Sequence, residues 1–540
     1  MKSWLIILLL ALTTWPAAAL TEGPAGSAHG AANARALEDS AFLDLLQRSA
    51  INFFWSEANS SNGLIKDRST PNSACSIASV GFGLTAICIG IDHGWIPADQ
   101  GRQRVLTTLK TFWNKPQGRD ARGFIGYKGF FYHFLYMSSA VREGYTELSD
   151  IDSALLLAGI LYSREYFEGA DSTDVEIRAL ADSIYRRVDW QWMRNYNPGL
   201  TTEWTPEKGF GGGWWSGYNE MMIMYILGLG SPTHPLPAST WKAFCGGYKW
   251  GVQYGQEYVN FPPLFGHQFS HCWIDYRGIQ DDYMRAKGID YFENSRRATL
   301  AQQAYCIANP RGWKGYGEKV WGITPSDGPD GYEARGAPPA ENDDGTIAPT
   351  AVGGSLPFAP EICLPTLHHF YDTYRSQLWG SYGFRDAFNL QRNWWATDVI
   401  GIDQGPIALM IENYRTGKIW KTFMKNADVR RGLERAGFRP SGTGVETTPA
   451  GQPHGFHLRQ NYPNPFNSET VLEYDLPAGG SVSLSIYDLG GRLVRCLADG
   501  PRSAGLHRVV LSSEGLSSGL YFCRLIFGGQ SLVRKLEVIR

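Results

Sequence analysis

Beyond its first residues, the 540-residue chain has no apolar run of the ~18 residues that a bilayer-spanning helix needs, so no stable membrane span is expected. An excess of one charge is missing too. Lys and Arg number 50 against 52 Asp and Glu, a net charge of −2, which argues against a nucleic-acid partner because such a protein usually carries a basic face. Cysteine is sparse, with eight in all and no C-x-x-C spacing, so zinc ribbons and thioredoxin-like redox sites are set aside. There is no G-x-S-x-G elbow, no phosphate-cradling P-loop and no H-E-x-x-H. Charged residues make up only 19% of the chain and hydrophobic ones 43%, which excludes wholesale disorder.

What is abundant is rings and glycine. Aromatics are 13% of the chain and glycines number 62, a combination that suits ring-lined clefts built on loops, although most rings must simply fill a core. The start reads Met1-Lys2-Ser3, a short apolar run, then Pro16-Ala17-Ala18-Ala19, the pattern of a secretory signal over residues 1–19. Residues 20–37 read as a flexible leader, and 441–456, rich in Gly, Thr and Pro, as a linker. Export would permit disulfides, yet Cys88 and Cys306 sit in apolar helical patterns where a buried thiol is expected.

Between these segments, residues 38–440 carry helical periodicity. Candidate helices are 39–58, 76–91, 97–113, 149–167, 173–190, 217–228, 239–250, 280–308, 358–375, 403–414 and 417–436. Long loops separate them at 192–215 and 310–357, and loops of that length in a compact domain are usually functional. Many helix pairs without a fixed repeat point to an α/α toroid rather than a solenoid. Residues 457–540 instead alternate apolar and polar residues at 481–487, 492–497, 506–511, 520–527 and 532–539, with turns between, as in a small β-sandwich. The fold class is thus mainly α, followed by a small all-β, immunoglobulin-like sandwich.

Carboxylates beside aromatics are the remaining chemistry. His267 and His271 are spaced i, i+4 and would suit a metal if helical, but other features of a zincin are missing, and no metal or other cofactor is assigned. Asp343-Asp344-Gly345 departs from the EF-hand pattern and reads as a loop. Glu203-Trp204 lies in the first long loop, and Trp214-Trp215 closes it just before Tyr218-Asn219-Glu220. Glu220 precedes Met221-Met-Ile-Met-Tyr-Ile-Leu227, so it borders an apolar wall that should raise its pKa, as a general acid needs. Asp150 and Asp152 open a helix, where capping explains them as well as catalysis does. Trp321 and Asp327 share one loop motif, Glu361 ends another, and Asp403 lies in Gly401-Ile-Asp-Gln-Gly-Pro406. One protonated acid, one ionised base and ring platforms are what glycosidic cleavage requires. Glu220 and Asp403 are the catalytic candidates. Asp150, Asp152, Glu203, Trp204, Trp214, Trp215, Trp321, Asp327 and Glu361 are the candidates for substrate contact.

The strings at 321–329, 348–361, 378–389 and 402–414 closely resemble the glycoamylase-like domain, and residues 37–440 look most like glycoside hydrolase family 144. The resemblance implies an (α/α)6 barrel that hydrolyses β-1,2-glucan with inversion and without a metal. It casts Glu220 as acid and Asp403 as base, and it places Asp150 and Asp152 against the poly- or oligosaccharide substrate. Two other readings remain: a surface glycan-binding protein on the same scaffold, or a hydrolase or transglycosylase for another β-glucan. The tail, with Gln460-Asn-Tyr-Pro-Asn-Pro-Phe-Asn467 and Ile486-Tyr-Asp-Leu-Gly-Gly-Arg492, resembles a type IX secretion sorting domain. That implies secretion machinery as a partner and a secreted or cell-surface location.

Overall fold

The computed structural model describes residues 38–338, 342–441, 456–461, 464–503 and 505–539. The signal and leader readings, and nearly all of the linker, lie outside the described residues. The chain divides into two compact units, at the 443/444 boundary.

The first unit is an (α/α)6 barrel. Its inner staves are helices Ile77–Asp92, Asp150–Tyr166, Met222–Gly230 and Gly401–Arg415, together with the 3-10 turns Leu264–His267 and Phe269–Cys272 and the short helix Pro349–Gly353. A helix that is apolar all round belongs inside, and Met222–Gly230 is buried at every position. The outer helices are amphipathic by contrast. Ala98–Asn114 buries Val105, Leu106, Leu109 and Phe112, and Ser172–Arg186 buries Ile177, Ala181 and Ile184. Ser239–Gly246, Tyr291–Ala308 and Pro360–Leu378 continue the outer layer, and Asp39–Ser56 closes the ring by packing on Gly401–Arg415 and Ile77–Asp92. Two inner staves meet almost backbone to backbone. A Cβ at Gly81 would lie 2.2 Å from the carbonyl oxygen of Leu155, and one at Gly159 would lie 2.0 Å from that of Gly81.

Several helices end sooner than their periodicity suggests. The 239–250 pattern stops at Gly246 and gives way to strand Trp250–Gln253. The 280–308 pattern is two helices, Asp282–Lys287 and Tyr291–Ala308, parted by Gly288 at φ 70°. The 417–436 pattern breaks where Asn426 caps a new helix, Ala427–Arg435. Because each inner stave is followed by an outer helix running back, the inner helices all begin at one rim. A five-stranded sheet of very short strands, Gly126–Tyr127, Phe130–Tyr132, Leu148–Ser149, Trp204–Thr205 and Gly209–Phe210, gathers the loops of that rim.

The second unit is a β-sandwich. A four-stranded sheet orders Leu493–Arg502, Gly480–Tyr487, Gly519–Phe527 and Gln530–Val538. A three-stranded sheet orders His457–Leu458, Glu469–Leu476 and Gly505–Ser512. Alternate residues Leu472, Tyr474, Leu476, Val482, Leu484 and Ile486 form its core. Strand Glu469–Leu476 was not among the periodic segments read from the sequence.

Candidate active site

The rim where the inner helices begin collects the carboxyls. Glu220 stands two residues before the start of helix Met222–Gly230, just ahead of its N-cap Met221. The start of that helix is pinned by Ser270, whose hydroxyl donates to the Glu220 carbonyl at 2.8 Å and accepts from the Ile223 N–H at 2.9 Å. The Oε2 of Glu220 is buried and has no protein hydrogen-bond partner among the described residues. Burial, reinforced by the charge of Asp152, pushes its pKa up to about 7. A carboxyl in that state still carries a proton near neutrality, which is what a general acid requires.

Asp150 and Asp152 open the neighbouring stave. Ser149 caps it, and its hydroxyl donates to Asp152 Oδ2 at 2.5 Å. Asp150 is fully buried. It accepts from the Trp215 indole N–H at 3.2 Å and the Ile151 N–H at 2.9 Å, and burial drives its pKa well up. Trp214 and Trp215 are half-buried on the loop above, which is held down by the Tyr225 hydroxyl donating to the Trp215 carbonyl at 2.7 Å.

Asp403 lies at the same rim, in the first turn of Gly401–Arg415. It is not alone there. Residues 67–69 run beside 398–401, with Gly401 N–H donating to Asp67 O at 2.7 Å and Ser69 N–H to Val399 O at 3.0 Å. Asp386 meets Asp403 side chain to side chain. Burial, with like charge from Asp327, raises Asp386 to about 7. Burial and the Asp386 charge raise Asp403 well above the usual carboxylate range. Two buried carboxyls this close share a proton rather than both ionising. Asp327 donates its backbone N–H to Asp386 Oδ2 at 2.6 Å, while its carboxylate takes Arg68 Nη1 at 3.0 Å. Arg68 also reaches Asp67 at 3.4 Å and Asp398 at 3.5 Å, so one guanidinium serves much of this cluster. Tyr332 is half exposed, yet its hydroxyl lies close enough to the cluster that burial and the charges of Asp403, Asp386, Asp67 and Asp327 hold its proton firmly.

Other candidates fall elsewhere. Trp321 is fully buried, with its indole N–H donating to Thr366 Oγ1 at 2.8 Å, and is therefore a core ring without a free face. Trp204 is 5% exposed and packs against Tyr127 and Trp192 at 5.2 and 5.5 Å, so it too belongs to the core. Glu361 is exposed and pairs with Arg296 at 2.6 Å. It starts an outer helix, and outer helices begin at the opposite rim, away from the carboxyl cluster. Glu203 is exposed on the loop beside Trp204. His267 and His271 lie in 3-10 turns rather than on one α-helical face. Each has a protein partner, Phe261 O at 3.1 Å and Ser295 Oγ at 3.1 Å, and burial pushes both pKa values down to about 3. Asp343 is a hub for the Tyr305, Trp313 and Tyr316 donors, as a structural loop residue would be. All eight cysteines are free thiols. Asp67, Asp386 and His133, which emerge from the geometry, had no signal of their own in the sequence, although Asp386 lies inside one of the recognised strings.

Similarity to known proteins identifies the lineage. A family model described as "Putative glucoamylase" matches residues 214–427, which takes in Glu220, Asp327, Asp386 and Asp403. The chain is 30% identical to an endo-β-1,2-glucanase of Chitinophaga pinensis solved with sophorotriose and glucose, over 75% of this chain and 99% of that one, with a TM-score of 0.68. The chain belongs to the glycoamylase-like family, glycoside hydrolase family 144. A Bacteroides uniformis structure under the same glucoamylase description is 36% identical, covers 75% of this chain and 98% of its own, and has a TM-score of 0.69. An exo β-1,2-glucooligosaccharide sophorohydrolase (non-reducing end) of Parabacteroides distasonis is 30% identical over 438 residues. That match takes in 74% of this glycoamylase-like chain but only 58% of the curated relative's length. Residues 460–539 match a secretion system C-terminal sorting domain, so the β-sandwich marks this family member for type IX secretion. No helix among the described residues is long and apolar enough to cross a membrane.

Proposed function

We propose that this protein is an exported glycoside hydrolase that cleaves β-1,2-glucan with inversion, using Glu220 as general acid and Asp403, paired with Asp386, as the base. The observation that carries the reading is Glu220 itself, a buried carboxyl with one oxygen free of protein partners and a pKa near 7, at the rim that also holds the carboxyl pair.

Glu220 gives its proton to the glycosidic oxygen as the bond from that oxygen to the anomeric carbon breaks. A water on the opposite face of the sugar forms the new bond to that carbon, and its proton passes to the pair. With one proton already shared, the Asp403–Asp386 pair keeps one negative charge, and a base poised near neutrality suits the task. Asp152 and Asp327 line the same rim for sugar hydroxyls, the buried Asp150 holds Trp215 in place, and Trp214 and Trp215 offer half-buried rings to sugar faces. Residues 1–19 direct the chain into the export route, and the sandwich completes passage to the surface or medium.

The test is a panel of glucans of different linkage, with products followed by proton NMR. Release from the β-1,2 polymer, appearing first as the α-anomer, supports the reading. The β-anomer first would overturn inversion, product from another linkage alone would overturn the substrate, and binding without product would make the protein a glycan-binding one. The relatives include both an endo- and an exo-acting enzyme. The size of the first products distinguishes the two actions here.

A further inference from the structure

His133 lies beside Asp152 at the carboxyl rim and takes no part in the chemistry above. Its backbone joins two inner staves. The N–H donates to Glu147 O at 3.0 Å, just before strand Leu148–Ser149, and the carbonyl accepts from the Ile77 N–H at 3.2 Å, at the start of Ile77–Asp92. The ring is stacked on Phe134, with centroids 4.0 Å apart and planes 16° apart. Its Nδ1 is 2.7 Å from Glu147 Oε1, and its Nε2 is 3.6 Å from Asp152 Oδ2. Glu147 is itself held by the Thr146 hydroxyl at 3.2 Å. The charged groups facing the ring are Glu147, Asp152 and, from the 67–69 segment, Asp67, with Arg68 beyond it.

Building on the acid role given to Glu220, we infer that His133 is a positioning residue. Clamped by Glu147 on one nitrogen, it presents the other to Asp152 and fixes the orientation of that carboxylate. The consequence is electrostatic. The negative charge of Asp152 disfavours a second one on Glu220, and Glu220 keeps its proton for the leaving oxygen. Without the clamp, the Asp152 carboxylate is free to turn away, and its hold on the Glu220 proton weakens. Burial alone would discharge the ring, but Asp152, then Glu147 and Asp67, overcome it and raise His133 to about 9.

The test has two arms. In the full-length protein labelled with 15N-histidine, the His133 resonance is the one lost in H133Q. It should remain an imidazolium at pH 7.5, and D152N and E147Q should each lower its midpoint. A midpoint near the ordinary histidine value of ~6.5, or one indifferent to D152N, overturns the inference. In the second arm, the pH profile of kcat/KM for H133Q should have its alkaline limb, which reports loss of the Glu220 proton, moved down by about 1 pH unit, because the Asp152 charge that raises Glu220 is no longer held against it. A profile merely scaled down, with its shape unchanged, would mean a structural role only. The two readings fail separately. Normal turnover in E220Q removes the acid assignment, whereas the titration arm tests the clamp on Asp152 directly.

Discussion

At the rim where the inner helices begin, Asp386 and Asp403 are buried and Glu220 has a buried carboxyl oxygen, none has a cation against it, and burial raises the pKa of each. At the rim where those helices end, the acids are matched. Asp92 takes Lys418 at 2.5 Å and the Tyr166 hydroxyl at 2.9 Å, and Asp174 takes Arg102 at 2.8 Å. Glu412 is 2% exposed, like Asp386 of the other rim, but it faces Thr416, His93 and Gln47 at 2.7, 2.9 and 3.1 Å. Those contacts outweigh burial and bring its pKa below the usual value. Helix N-termini carry partial positive charge and tolerate acids without a full counterion, whereas C-termini do not. Burial alone therefore does not make a reactive carboxyl. The supply of partners decides between a proton donor and a structural anchor.

The largest expected effect separates the two rims directly. Glu220→Gln keeps the shape but has no proton to give, and it should lower turnover ~10²–10⁴-fold with little change in melting temperature. Glu412→Gln should do the reverse, leaving turnover near normal while costing about 1–3 kcal/mol through its lost charged contacts. Activity assays and thermal melts on both variants decide, and equal behaviour would erase the distinction.

Asp386→Asn and Asp403→Asn come next. Each should cost ~10²-fold or more in rate. Neither should lower the melting temperature, because each puts a neutral amide in place of a carboxyl in a buried pair that carries a charge without a cation. A marked loss of stability in either would show that the pair is structural, as Glu412 is.

A smaller effect concerns pH. His267 and His271 fold as neutral rings with pKa values near 3, below the unfolded ~6.5. Below pH ~6.5 the unfolded chain binds protons that the folded barrel refuses, so their contribution is full above that pH and is lost as pH falls toward 3. Urea midpoints measured between pH 7 and 4 should fall, and His271→Gln should flatten the slope. The smallest effect is expected from deleting the sandwich after residue 443. Hydrolysis should be unchanged, because the described units are separately compact, while export should fail.

The long amphipathic helices were legible because period and burial coincide over several turns: 97–113 became Ala98–Asn114 and 173–190 became Ser172–Arg186. The short inner staves were not, since Leu264–Cys272 and Pro349–Gly353 are too brief to show a period, and the second begins with proline. Glu220 was legible as an acid against an apolar wall. Asp67 was not, because Lys66-Asp67-Arg68 looks like a solvated charge run, and His133 within Phe131-Tyr-His-Phe-Leu135 looks like an ordinary core histidine.

Local pattern was enough to determine a helical unit and a strand unit, and acids at the starts of inner helices, because periodicity and capping are properties of neighbouring residues. The tertiary structure alone decided that Trp321 and Trp204 are core while Trp215 lies over Asp150. It also decided that Asp403 shares its site with Asp386 and that His133 clamps Asp152. The physical reason is that a carboxyl's proton and a ring's exposure depend on what surrounds them, and here the surroundings come from segments far apart in the chain: Arg68 against Asp327 and Asp398, and Asp67 against Gly401.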